Sequence, residues 1–208
     1  VKSEIDFFAG GGIKYFLDTT GTDVFKENGI TVNFSKLKKI RKPQKGERYG
    51  FLLGSDRLPA MLEGRKDFLE KSSSIAIDFL STGEKGYFLM IEGSQIDWAG
   101  HGNQVGYMIT EMNDFEQVVN AVLDYAEADG ETLVIVTADH ETGGFTLGAA
   151  GENSYGADYT IINPTFASTN HSATLVPVLA YGPGAENFTG IYENTEIFHK
   201  LVALIVAE

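Results

Sequence analysis

The chain has 208 residues, 43% hydrophobic and 22% charged, with a formal net charge of −13. That is the make-up of a globular protein with enough chain for one sizeable core, and it excludes a disordered or collagen-like polymer. No apolar run approaches the roughly 18 residues of a membrane span, and without cysteine there are neither disulfides nor thiolate metal sites.

Val1 is followed by neither a basic nor an apolar leader segment, so the chain reads as a processed product or a piece cut from something longer. Ile5–Phe8 reads as a short buried strand. Gly10-Gly11-Gly12 follows as a turn; three glycines allow close backbone approach but do not alone specify phosphate binding. Half of the 16 Lys and Arg lie between Lys26 and Arg48. The stretch Lys36–Arg48, with Pro43 and Gly46 in it, reads as a solvated loop. It has no interleaved aromatics and sits in an acidic chain, which argues against a nucleic-acid surface. Tyr49–Leu53 is a possible strand. Phe68, Leu69, Ile75, Ala76 and Phe79 give Lys66–Leu80 a helical pattern.

Gly86–Glu92 is apolar almost throughout and predicts a strand buried on both faces. Gln104–Glu127 predicts a long helix, with Val105, Met108, Ile109, Met112, Phe115, Val119, Val122, Leu123 and Ala126 on its apolar face and Gly130 as its stop. Thr132–Ala138 predicts another buried strand. Ala149–Thr169, rich in Gly, Asn and Ser, predicts a loop or short surface insertion. Thr174–Ala180 predicts a third buried strand, interrupted by Pro177, which points to an edge or bulge. Asn194 or Thr195 is a candidate cap for a terminal helix through Phe198, Leu201 and Ile205. Strands alternating with helices indicate an α/β fold with a parallel sheet. No internal repeat or clear linker divides the chain.

From Gly86 to His199 there is no Lys or Arg, but there are 16 Asp and Glu and all four His. An anionic substrate bound there needs positive charge from elsewhere, and a metal ion is one source. In open α/β sheets ligands bind beyond the carboxyl ends of the strands. Glu92-Gly-Ser-Gln-Ile-Asp97-Trp98-Ala-Gly-His101 follows one predicted strand, Asp139-His140-Glu141-Thr142 follows the next, and His171 precedes the third. Asp97 and His101, four apart, share a face if the chain turns helical there. Asp139 and His140 can converge where a strand ends and the chain bends. Carboxylates and imidazoles without thiolates suit zinc, and the carboxylates suit magnesium as well. Each pair alone is as readily a turn, a cap or a core histidine; the joint pattern is what points to a metal. His199 reads as a solvated helix residue.

FLMIEGSQIDWAGHGN, VIVTADHETGG and HSATLVPVLAYGPGAENFTGIYENTEI, with IDFFAGGGIKYF before them, closely resemble blocks of the alkaline phosphatase family, and the likeness runs through nearly the whole chain. The resemblance implies a doubly wound α/β core with a mostly parallel sheet and helices on both faces, incomplete on its N-terminal side. Residues 1–208 would be the C-terminal part of one such domain, with 149–169 a short insertion. It also implies a homodimer, or association with a complementing N-terminal fragment, in the periplasm or outside the cell. The implied activity is hydrolysis of phosphate monoesters, releasing inorganic phosphate, with two zinc ions and one magnesium at each site. By motif match, Asp97, His101 and His171 would hold the first zinc, Asp139 and His140 part of the second, and Glu92 the magnesium. In this family a serine attacks phosphorus and forms a phosphoserine, with one zinc activating the serine and the other stabilising the leaving oxygen. The position of Trp98 varies among members; a packed aromatic and a substrate contact are both open readings.

The family's serine motif, its phosphate-clamping arginine and an Asp shared by two metals lie upstream of these blocks. Ser172 and Ser94 do not match that motif. The expectation is therefore a chain that binds one zinc well, the other metals poorly, and is inactive by itself. A catalytically silent metal-binding domain is the competing reading, and a related phosphodiesterase or sulfatase a weaker one.

Overall fold

The computed structural model describes residues 4–17, 24–40, 46–153 and 156–206. Positions 41–45 of the Lys36–Arg48 stretch lie outside them; 36–40 is loop, as expected, whereas Arg48 already opens a strand. The chain divides into two compact units, Val1–Gly93 and Ser94–Glu208. No helix among the described residues is long and apolar enough to cross a membrane.

The first unit contains β1 (Phe7–Gly10), α1 (Ile13–Phe16), α2 (Val24–Glu27), β2 (Ile30–Asn33), β3 (Arg48–Leu52) and α3 (Phe68–Leu80). The three strands form one parallel sheet in the order β1-β3-β2. Successive strand residues face opposite sides, and β1 uses both. Phe8 meets Phe25 of α2 at 5.3 Å between ring centroids, while Phe7 meets Phe79 of α3 at 6.1 Å. Helices therefore cover both faces, and Phe25, Ile30 and Leu52 form the buried cluster. Gly50 pairs with Phe8, and a Cβ there would lie 2.2 Å from the Phe8 ring. Glycine at that point lets the ring cross the neighbouring strand.

Gly10–Gly12 packs together the carboxyl ends of β1 and β3. The N–H groups of Gly12 and Ile13 donate to Gly54 O at 3.0 and 3.1 Å, and Lys14 N–H donates to Ser55 O at 2.8 Å. With those donors committed, the glycine run is a packing device. α3 buries Ser72 and Ser73 beside Ala76 and Phe79. Both hydroxyls donate back to Leu69 O, at 3.1 and 2.7 Å, which satisfies them inside the interface.

Gly86–Glu92 differs from expectation. It belongs to no ladder, and Phe88 and Met90 are 64% and 75% exposed. An apolar run indicates a segment meant to be covered, but cover comes from sheet neighbours, and among the described residues this run has none.

The second unit contains α4 (Gln95–His101), α5 (Val105–Asp129), β4 (Val134–Val136), β5 (Glu141–Thr142), β6 (Thr146–Asn153), β7 (Gly156–Thr165), β8 (His171–Ser172), β9 (Leu179–Tyr181) and α6 (Glu196–Val206). α5 has the expected length and ends at Gly130 in the left-handed region, φ 75°. Its buried face is rotated from the expected one: Met108, Glu111, Asp114, Val118 and Ala126 are buried, while Ile109 and Met112 are exposed. Neither Glu111 nor Asp114 is without a partner, so two carboxylates occupy positions that hydrophobic periodicity assigns outward.

β4 pairs with β9 antiparallel. The 174–180 run is mostly exposed, and the ladder forms only from Leu179, past Pro177. Proline supplies no N–H to a ladder, so pairing resumes beyond it. Residues 149–169 are not loop throughout: β6 and β7 make a long antiparallel hairpin. Both strands are largely exposed, Leu147, Tyr159, Ile161 and Ile162 included. At the terminal helix, Glu193 O and Asn194 O accept from Glu196 N–H and Ile197 N–H. Among the described hydrogen bonds, the backbone makes that start, with no side-chain cap from Asn194 or Thr195.

Candidate metal centre

Asp97 and His101 lie one turn apart on α4, so both project from one face. His101 Nε2 is 3.4 Å from Asp97 Oδ2. His171 arrives on β8, which pairs antiparallel with β5 through Glu141↔Ser172 and Thr142↔His171. That two-rung ladder brings His171 Nε2 to 3.1 Å from His101 Nε2 and 3.5 Å from Asp97 Oδ1. One ligand atom from each of Asp97, His101 and His171 can be chosen so that all three lie within 4.8 Å of one another, close enough for side chains that could hold one metal ion, since ligands held tetrahedrally at about 2.0–2.1 Å from zinc stand about 3.3–3.4 Å apart.

The chemistry of the donors fits as well. His101 Nδ1 lies 2.6 Å from Thr169 O. A carbonyl can only accept, so Nδ1 carries the hydrogen and a neutral His101 presents Nε2 as a lone pair to the cluster. An imidazole whose far N–H is held by a backbone carbonyl is a common arrangement behind a metal ligand.

The second pair is adjacent. The His140 ring stacks on His171 at 3.6 Å between centroids, tilted by 20°. Asp139 Oδ2 is 3.3 Å from His140 Nε2. The bend after β4 thus lets neighbouring side chains converge. Glu92 lies in the first unit, exposed at the end of the 86–92 run. Trp98 is 44% exposed on α4. His199 lies on α6, away from the cluster, with its ring 5.4 Å from that of Phe198.

Two glycines allow the close fit. A Cβ on Gly100 would lie 2.8 Å from Thr142 O, and one on Gly143 would lie 2.9 Å from Gly100 O and 2.8 Å from the Phe166 ring. Gly143 also has φ 93°, which side chains rarely adopt. Gly143 N–H donates to Asn170 O at 3.0 Å, and Gly143 O accepts from Ala167 and Ser168 N–H at 2.9 and 3.0 Å. The 167–170 turn is thereby seated, and with it the Thr169 carbonyl.

Periodicity and motif spacing do not reveal three supporting residues: Thr169, Glu141 and Thr142. The Glu141 carboxylate accepts from the Ser172 hydroxyl, from Phe145 N–H at 3.0 Å and from Gly144 N–H at 3.2 Å. The Ser172 hydroxyl first, then these amides, hold the Glu141 carboxyl below the usual carboxylate range. The available signal was the Gly143-Gly144 pair, which marks a place where backbones approach closely.

The alkaline phosphatase family profile matches residues 1–163. The chain belongs to the alkaline phosphatase family. It is 33% identical to alkaline phosphatase 4 of Bacillus subtilis (strain 168), an alignment covering 94% of this chain and 56% of that protein. It is 48% identical to the alkaline phosphatase from the Antarctic bacterium TAB5, with a TM-score of 0.89, covering 99% of this chain and 62% of that one. A variant of the TAB5 enzyme, 47% identical and also at TM-score 0.89, has a structure with Mg bound in the M3 site. The α/β architecture with its parallel sheet is therefore that of the alkaline phosphatases, and the chain spans between about half and two thirds of the length of these relatives.

Proposed function

We propose that this chain supplies the zinc-ligand half of a metal-dependent phosphomonoesterase. The observation that carries the reading is the cluster of Asp97, His101 and His171, which offer one ligand atom each within 4.8 Å of one another. Asp97, His101 and His171 would hold the first zinc, Asp139 and His140 would contribute to the second, and Glu92 to a magnesium. Bound there, the ions would supply the positive charge and Lewis acidity that the Lys- and Arg-free stretch lacks in its side chains.

The chain's own residues do the holding. Thr169 O fixes the tautomer of His101, the β5–β8 ladder delivers His171, and α4 aims Asp97 and His101 from one face. Trp98, beside Asp97, is a candidate contact for the organic part of a phosphate monoester. The attacking serine and its phosphoserine we assign to the part of the family's length that these residues do not span. Residues 149–169, the body of the β6–β7 hairpin, correspond in this reading to a reduced surface insertion. The family's setting, a dimer in the periplasm or outside the cell, is the setting proposed here.

The test is hydrolysis of a chromogenic phosphate monoester at alkaline pH by the purified 208-residue chain with zinc and magnesium, with and without chelator, beside a calorimetric zinc titration. The reading expects one tight zinc and no turnover. Chelator-sensitive turnover would place the nucleophile within these residues. No tight zinc would remove the metal centre itself.

A further inference from the structure

We infer that the Thr142 hydroxyl is a positioning group shared by the two metal subsites, fixing the Asp97 carboxylate of one and the His140 tautomer of the other. The inference rests on the metal-centre reading above. Thr142 is 8% exposed on β5, two residues after His140. Its Oγ1 lies 2.5 Å from Asp97 Oδ1 and 3.2 Å from His140 Nδ1.

A hydroxyl has one hydrogen to give. An ionised carboxylate oxygen only accepts, so that hydrogen goes to Asp97. The hydroxyl oxygen then offers lone pairs alone, so His140 Nδ1 must be the donor on the other side. The chain of donors runs from His140 Nδ1–H to Thr142 Oγ1–H to Asp97 Oδ1. His140 is left with its lone pair on Nε2, the atom beside Asp139. Asp97 is left with Oδ1 anchored from behind and both oxygens within 3.5 Å of an imidazole Nε2. One buried hydroxyl therefore orders a ligand of each subsite, and neither can be re-aimed without breaking its bond to that hydroxyl.

The threonine methyl has a separate task. A Cβ on Gly100 would lie 2.9 Å from Thr142 Cγ2, so the methyl lines the contact between α4 and β5. Valine keeps a methyl in place of the hydroxyl, and serine keeps the hydroxyl and loses the methyl. The two substitutions separate the roles.

The experiment uses the 208-residue protein and its Thr142→Val and Thr142→Ser variants. Zinc affinity is measured by competition with a chromogenic chelator. The tautomer of His140 is read in metal-free protein from imidazole nitrogen shifts, and thermal unfolding confirms that each variant folds. Thr142→Val should weaken zinc binding about 10- to 100-fold, the usual effect of losing a partner behind a ligand, while Thr142→Ser stays within about threefold of the parent. His140 should be the Nδ1–H tautomer in the parent and in Thr142→Ser, and lose that preference in Thr142→Val. If the parent binds zinc and Thr142→Val binds it equally well with the same tautomer, the shared hydroxyl is refuted and the metal centre stands. If Thr142→Ser is as impaired as Thr142→Val, the methyl packing carries the effect and the inference falls. If the parent itself binds no zinc, both readings fall together.

Discussion

Alanine at two helical glycines should have opposite consequences, because one glycine touches the site and the other touches nothing. Gly106 lies in the first turn of α5, and a methyl added there would meet no heavy atom within 4 Å. Gly106→Ala should therefore gain helix propensity alone, a few tenths to about 1 kcal/mol. Gly100→Ala on α4 gains the same propensity, but its methyl would stand 2.8 Å from Thr142 O and 2.9 Å from Thr142 Cγ2. The first of these is backbone, so rotating a side chain cannot relieve it. Ordinary contact begins at 3.4 Å, so α4 must withdraw from β5 by about 0.6 Å, at about 1–3 kcal/mol for such overpacking. Against a propensity gain of about 1 kcal/mol, the net outcome is a loss of up to about 2 kcal/mol, or several degrees in Tm for a chain of this size. The withdrawal also stretches the 2.5 Å bond from Thr142 to Asp97, so zinc affinity should fall with it. Thermal unfolding in chelator, beside a zinc competition titration, reads both quantities. Equal Tm and equal zinc affinity for the two alanine variants would refute the close-contact account of the site.

Replacing a ligand should do more than disturbing its support: His171→Ala should weaken zinc binding by more than about 100-fold, against the 10- to 100-fold of an outer partner, in the same competition assay. Glu141→Gln should lower stability by about 1.5–3 kcal/mol near pH 7, the scale of hydrogen bonds to a charged group. The sign follows from its lowered pKa: the carboxylate's contribution is complete above its ordinary value of 4.5 and is lost as pH falls through the depressed folded value. Denaturant unfolding in chelator should therefore show parent and variant converging in acid; a gap that persists there would refute the assignment. Phe25→Ala, at a core position only 2% exposed, should cost about 3–5 kcal/mol by chemical denaturation, and a loss under 1 kcal/mol would contradict the packing of the first unit.

Much of this architecture is legible in sequence where a local signal and its tertiary partner coincide. β3, α3 and α5 fall close to their expected places because turn residues bound them and apolar spacing describes them, whereas β1 begins two residues later than expected and takes in Gly10. Asp97 and His101 share a face because helical spacing alone decides that. The failures share a physical cause, since they concern partners. The apolar character of Gly86–Glu92 says nothing about which strand lies beside it. Glu111 and Asp114 turn inward on α5, each with a partner, where hydrophobic periodicity assigns them outward. The composition of 149–169 suggests loop, whereas backbone pairing between two exposed strands needs no face on a core. The Thr142 bridge is invisible for the same reason: its bonds reach residues 45 positions before it and 2 before it, and no period or spacing rule joins those.

The β6–β7 hairpin makes the interval between His140 and His171 a free variable. The two rings stack because β5 meets β8, and the hairpin's base is closed by the Thr146↔Thr165 rung and the 5.0 Å contact of Phe145 with Phe166. Chain added beyond that base does not alter the meeting of β5 and β8, and each doubling of loop length costs only about 0.6 kcal/mol of closure entropy. The far end of the hairpin is thus a docking port for evolution and for engineering alike. A longer loop, an epitope or a whole module can enter there while the imidazoles keep their places.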